Sequence, residues 1–276
     1  MKAVHINDYT CGTGYPLLIM AGPCVIESEE LTLEIAQYLK KITDRLGLQL
    51  VFKASFCKDN RTSIQSYRGV ELSSAIKIFQ RIKSEIKLPI VTDIHQPYHA
   101  EALKNVIDII QIPAFLCRQT SLLLAAGLTG LPVHVKKSQM MSPNDMKYVI
   151  EKLKHVDCKQ ILLCERGTFF GYGNLVNDMT SILKMQQLGV PVIFDATHSV
   201  QNRHNSNQIS GGNIEMIVPL AKAAVAIGVN GLFFEVHPTP QLALSDSASM
   251  LSLDNFEDLL QRLLLIRKVV DNENNN

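Results

Sequence analysis

The sequence contains no apolar run of the roughly 18 residues that a membrane-crossing helix needs. Its opening stretch, MKAVHINDYTCGTG, has one lysine and no apolar core, so it does not read as a secretory signal. Net charge is almost absent, with 27 basic against 26 acidic residues and a formal charge of +1. That excludes a broad nucleic-acid or anionic-membrane surface, and any cationic site must be local. No C-x-x-C pair occurs among Cys11, Cys24, Cys57, Cys117, Cys158 and Cys164. Scattered thiols without a signal read as reduced, cytoplasmic residues, most of them small core hydrophobes. Also missing are a linker, a low-complexity interior and any break in composition. A chain of 276 residues, 46% of them hydrophobic, is therefore expected to bury one large core.

What is present is a strand and then a helix, repeated. Short apolar runs at 16–22, 48–54, 89–95, 109–115, 131–137, 160–167, 191–198 and 231–238 are bounded by Gly or Pro. Between them lie amphipathic segments. In 29–46, Ser28 stands at the N-cap, Glu29 and Glu30 suit the helix dipole, and Leu31, Ile35, Leu39, Ile42 and Leu46 form one stripe before Gly47. Others are expected over 70–86, after Pro97, at 119–128, over 143–155 behind Ser142 and Pro143, near 177–188, and over 254–270. Eight such units predict an α/β chain folded as a single (β/α)₈ TIM barrel over 1–270. Residues 1–15 read as a short β-hairpin plugging its bottom, and the polar residues 271–276 as a disordered tail.

Barrel enzymes work at the C-terminal ends of their strands. Here those ends carry Cys24, Lys53, Asp93 with His95, Gln111, Lys136, Arg166, Asp195 with His198, and Glu235 with His237. Any one of these is ordinarily a satisfied core polar group or a solvated residue; eight together are a specific signal. Lys53, Arg61, Arg118, Lys136 and Arg166 form a cationic set, and grouping them at one mouth is costly unless phosphates or carboxylates arrive to pair with them. Cys24, His198, Glu235 and either Asp93 or Asp246 form a set able to hold a divalent transition ion, whose mixed S/N/O donors leave the metal open. Two long polar or small-residue loops, 201–212 and 239–252, follow strands seven and eight and suit lids or ligand-carrying segments.

Read together, AGPCVIES (21–28), FKASFCKDNRTSIQSYRG (52–69), TDIH (92–95), QIPAFLCRQT (111–120), HVKKSQMMSP (134–143), CERGTFFGYGNLVNDM (164–179), FDATHSVQ (194–201) and FFEVHPTP (233–240) closely resemble the 3-deoxy-D-manno-octulosonate 8-phosphate synthase family. The resemblance covers nearly the whole chain. It implies condensation of phosphoenolpyruvate with D-arabinose 5-phosphate and water, releasing phosphate, in lipopolysaccharide biosynthesis. It implies Lys53, Lys136 and Arg166 on the phosphate and carboxylate of phosphoenolpyruvate. The stretch from Lys58 through Asn60, Arg61 and Thr62 would receive the sugar phosphate, with Arg118 reaching it from a neighbouring subunit of a homotetramer. Where the family usually has alanine before Asn-Arg, this chain has Asp59, which is expected to face outward so as not to repel the ligand.

The family divides at the position of Cys24: asparagine marks metal-independent members and cysteine metal-dependent ones. The resemblance therefore places a divalent ion (Zn, Fe(II), Mn or similar) on Cys24, His198, Glu235 and Asp246. His198, Lys136 and Asp93 are expected to carry the chemistry, with His198 and a strand-end carboxylate managing protons. The nearest rival is 3-deoxy-D-arabino-heptulosonate 7-phosphate synthase, whose members typically show Lys-Pro-Arg-Thr-Ser where this chain has Lys-Asp-Asn-Arg-Thr-Ser. A metal-dependent hydrolase on the same barrel would want several His and Asp ligands without five phosphate-facing cations. A non-catalytic barrel would have lost strand-end residues, and here none is missing.

Overall fold

Alternating apolar runs and amphipathic helices resolve into a closed ring of eight parallel strands with helices outside it, in a computed structural model that describes residues 1–59, 61, 63–202 and 211–274. The chain opens with a hairpin, β1 (Val4–Ile6) and β2 (Tyr9–Cys11). There follow β3 (Leu18–Gly22), α1 (Glu29–Leu46), β4 (Gln49–Lys53), α2 (Leu72–Arg81), β5 (Ile90–Asp93), α3 (Pro97–Leu103), β6 (Ile109–Ile112) and α4 (Thr120–Leu128). Next come β7 (Val133–Lys136), α5 (Met146–Lys154), β8 (Ile161–Glu165), a second hairpin β9 (Thr168–Gly171) and β10 (Asn174–Val176), and α6 (Thr180–Gln186). The last part holds β11 (Val192–Asp195), β12 (Gln201–Asn202), β13 (Gly211–Gly212), α7 (Ile217–Ala226), β14 (Gly231–His237), β15 (Leu251–Ser252) and α8 (Phe256–Asn274). The ring runs β3, β4, β5, β6, β7, β8, β11, β14, and closes because β14 pairs with both β11 and β3.

Local chemistry sets the elements. Ser28 caps α1 by accepting from the Leu31 N–H, and Gly47 ends it at φ 66°, a left-handed conformation that glycine adopts without a Cβ clash. Gly22, the last residue of β3, lets the β4 backbone approach: a Cβ there would lie 2.0 Å from the Lys53 carbonyl oxygen. Because successive strand residues face opposite ways, the ring has two cores. Outward-facing side chains meet the helices in the larger one. The smaller fills the lumen with Leu18, Met20, Val51, Val91, Ile109, Leu162, Cys164, Ile193 and Phe233, and the hairpin residues Val4, Ile6 and Cys11 belong to it. The hairpin is a plug, as its sequence suggests, and it is tied down where the Gln49 and Gln160 side chains accept from the Thr10 and His5 N–H groups.

Several boundaries differ from expectation. The segment 70–86 divides into α2 and a π-turn, Ile82–Ile86, ending at left-handed Lys87. Pro143 opens a 3₁₀ turn before α5 rather than the α-helix itself. Hairpin β9–β10 fills a stretch the periodicity left without structure; it turns through Tyr172 and Gly173, both at positive φ. Helix α7, Ala-rich and apolar on most sides, was not among the predicted helices. Helix α8 continues to Asn274, so residues 271–274 are helical rather than a tail, and Arg267 pairs with Asp271 one turn on. Residues 275–276 lie outside the described residues. Among the described residues no helix is long and apolar enough to cross a membrane.

Candidate active site

A cavity of about 720 Å³ opens at the C-terminal ends of the strands, lined by Lys53, Lys58, Arg61, Asp93, Gln111, Lys136, Arg166, His198, Glu235 and Asp246 among others. The side chains are placed by strand alternation. Lys53, Asp93, Gln111, Lys136, Asp195 and Glu235 follow the lumen-facing apolar residues two positions earlier on their strands, or stand level with one that does, and so project inward at the rim.

Buried cations are paired with buried carboxylates. Lys53 Nζ lies 2.6 Å from Glu235 Oε1 and donates to the Cys24 carbonyl oxygen at 2.7 Å. Lys58 Nζ is 3.9 Å from the same Glu235 oxygen. Burial works against ionising Glu235, but Lys53, His198, Lys58 and Lys136 outweigh it and hold the carboxyl below its ordinary range. Asp195 is fully buried; its Oδ2 accepts from Lys136 Nζ at 2.6 Å and lies 2.8 Å from His198 Nδ1. Burial again opposes charge, while His198 and Lys136 keep Asp195 well below the usual carboxylate range. Lys136 Nζ also sits 3.5 Å above the centre of the Phe233 ring, a cation–π contact. Asp93, 3.3 Å from His95 Nε2, is kept ionised by Lys58, His95 and Lys53 against its burial.

Beside these pairs the thiol of Cys24 and the carboxylates of Glu235 and Asp246 offer ligand atoms all within 4.8 Å of one another. Asp246, rather than Asp93, is the carboxylate that meets the thiol. It is carried there by the loop after β14, at φ 49°. Cys24 Sγ lies 3.0 Å from Ser245 Oγ and 3.3 Å from Asp246 Oδ2, either of which can accept its single proton. Burial, with Glu235 and Asp246 nearby, pushes the thiol far up, so only an arriving cation would displace its proton. His198 turns Nδ1 to Asp195, and its Nε2 is 3.8 Å from both Glu235 Oε1 and Asp246 Oδ2. Glu235 Oε2 is buried without a hydrogen-bond partner among the described residues. A soft thiol and two carboxylates, one with an orphaned oxygen, are donors of the kind a divalent transition ion takes.

The sequence profile of the DAHP synthetase I family matches residues 2–270. The chain belongs to this family. It is 50% identical to a protein of Desulfatibacillum aliphaticivorans over 95% of this chain and 96% of the relative. It is 48% identical to one of Synechococcus sp. over 96% and 93%, and 47% identical to one of Legionella pneumophila over 94% and 95%. Each of these relatives is named 2-dehydro-3-deoxyphosphooctonate aldolase.

Within this member of the family the remaining expected residues divide. Arg61 reaches the cluster, with its guanidinium 2.7 Å from Ser245 Oγ and 3.5 Å from Asp246 Oδ1. Arg166 donates to Gln201 Oε1 at 2.7 Å, while its buried Nη1 has no partner among the described residues. Asp59 is exposed and paired with Arg68. Arg118 is exposed on the turn after β6 and does not line the cavity of its own chain. Asn60 and Thr62, and most of the loop 201–212, lie outside the described residues. Sequence reasoning missed Ser245, Phe233 and the buried Lys137, which donates to the Gly167 carbonyl and Thr168 hydroxyl and lies 3.5 Å from Glu165. Lys137 could have been suspected as the second lysine of a Lys-Lys pair at a strand end; Ser245 and Phe233 left no signal.

Proposed function

We propose that this chain condenses phosphoenolpyruvate with D-arabinose 5-phosphate and water into 3-deoxy-D-manno-octulosonate 8-phosphate, releasing phosphate. The observation that carries the reading is one cavity lined by Lys53, Lys58, Arg61, Lys136 and Arg166 together with His198, Glu235 and Asp246, the two carboxylates being grouped with the Cys24 thiol. Five cations suit two anionic substrates, and the orphaned Arg166 nitrogen is costly to bury unless an anion pairs with it. The names of the relatives point to the same reaction.

Lys53, Lys136 and Arg166 take the phosphate and carboxylate of phosphoenolpyruvate, and the stretch from Lys58 through Asn60, Arg61 and Thr62 takes the sugar phosphate. Holding carbon 3 of phosphoenolpyruvate against the aldehyde carbon supplies much of the acceleration. Carbon 3 attacks the aldehyde, whose oxygen gains a proton; water adds at carbon 2, losing one; the tetrahedral phosphate hemiketal then expels phosphate. Cys24, His198, Glu235 and Asp246 would hold a divalent ion, which when bound polarises an aldehyde or water oxygen. With Nδ1 taken by Asp195, His198 has a single nitrogen left for ligation or proton transfer. We give it to ligation and leave the water's proton to Asp93, which the surrounding cations keep ionised. The working enzyme is a cytoplasmic homotetramer in which Arg118 reaches a neighbour's sugar phosphate.

The test is turnover of both substrates with phosphate release. Release from phosphoenolpyruvate without an aldehyde would favour a hydrolase instead. The family's description names the heptulosonate reaction, so erythrose 4-phosphate is assayed alongside; preference for it over arabinose 5-phosphate would overturn the reading.

A further inference from the structure

His134 lies two residues before Lys136 on β7 and therefore on the same inward face. It is fully buried, below the cavity rather than in it, and Gln111 is its partner in the β6–β7 register. Its Nδ1 is 3.2 Å from Gln111 Oε1, and its ring stacks on Phe233 with centroids 6.3 Å apart. Gln111 itself lines the cavity. We infer that His134 is a positioning residue, holding the Gln111 carbonyl so that the amide NH₂ faces the anion in the cavity. The inference rests on the reading that this cavity takes phosphoenolpyruvate.

A carbonyl oxygen only accepts, so the imidazole must carry its proton on Nδ1. Burial and the nearby Lys136 push its pKa down to about 3, so the ring is neutral and has one proton to give. Nε2 is then left as a buried acceptor with no partner among the described residues. That is costly in a lumen where an aliphatic side chain would pack without polar loss. The cost becomes intelligible if the ring fixes the rotation of Gln111. An amide turned the other way would set an oxygen against an anionic substrate, in a pocket whose lining includes Lys136 and Arg166.

A double-mutant cycle reads this directly. His134→Leu is expected to raise the KM for phosphoenolpyruvate by about fivefold while kcat changes little, since one oriented hydrogen bond is lost. His134→Asn, which keeps an N–H donor, should recover most of that loss. In a Gln111→Leu background His134→Leu should add nothing further. Should His134→Leu not fold, His134→Phe keeps the stack on Phe233 and loses the donor, and completes the cycle. Additive losses, or a His134→Asn enzyme as impaired as His134→Leu, would overturn the inference. A wild-type chain that fails to condense the two substrates would count against the functional reading instead. The same cycle would then be read in phosphoenolpyruvate binding by calorimetry.

Discussion

Arg61 stands where the loop after β4 meets the thiol–carboxylate cluster, with its guanidinium on Ser245 and Asp246. A charged hydrogen-bond donor of this kind contributes about 1.5–3 kcal/mol. Arg61→Ala is therefore expected to raise the KM for arabinose 5-phosphate by about 10- to 100-fold, with phosphoenolpyruvate binding nearly unchanged. Steady-state kinetics with each substrate varied would check it, and an unaltered sugar-phosphate KM would remove Arg61 from that role. Cys24 allows a test that does not depend on turnover. Elemental analysis of purified wild type beside Cys24→Asn should show a divalent ion in the first and most of it lost from the second. Equal metal in both would take the thiol out of the ligand set. Residues of this kind were legible because charge and sulfur at a strand end are conspicuous in a sequence. Phe233 was not: an aromatic in FFEVHP reads as core, and only the fold sets it beneath Lys136.

At the scale of elements, the hairpin β1–β2 does in the lumen what the outer helices do around it: it covers apolar surface the ring cannot bury alone. Ile6 is almost fully buried among lumen residues. Ile6→Ala should cost about 2–4 kcal/mol in urea unfolding, while turnover per folded molecule stays near the wild-type value, because the cavity is at the opposite end. A large kcat loss at intact stability would mean that the plug communicates with the mouth. The strands and most helices could be read from short apolar runs, caps and stripes. Hairpin β9–β10 could not, because its turn depends on positive φ at Tyr172 and Gly173, which no periodicity reveals. Helix α7 was hidden by its composition: a helix rich in Ala and Val, with one lysine, has little polar face to mark its period. The end of α8 is polar and reads as a tail, whereas the helix runs on to Asn274 with an Arg267–Asp271 pair along it.

For the whole molecule, Arg118 poses the sharpest question. It is exposed and lies apart from its own chain's cavity, with Phe115 on the same turn exposed at the rim. If a neighbouring copy brings it to a sugar phosphate, light scattering should give four chains per particle. Arg118→Ala should then raise the KM for arabinose 5-phosphate in the intact tetramer. A monomer with full sugar-phosphate affinity would refute both halves of that expectation. Assembly was the least legible feature in the sequence, since an exposed aromatic looks the same whether water or a partner covers it.

The seam of the ring lies between β3 and β14, strands near opposite ends of the chain. Lys53 and Cys24 are made early in synthesis, and Glu235 and Asp246 more than 180 residues later. On a ribosome, the first half of the site therefore emerges with its lysine and thiol lacking their counterparts until the final strand leaves the exit tunnel. Contacts so distant in sequence close late in folding. A prematurely terminated product would carry most of the helices and strands yet no working fraction of the site, so synthesis to the last strand is itself the switch from inert polypeptide to enzyme.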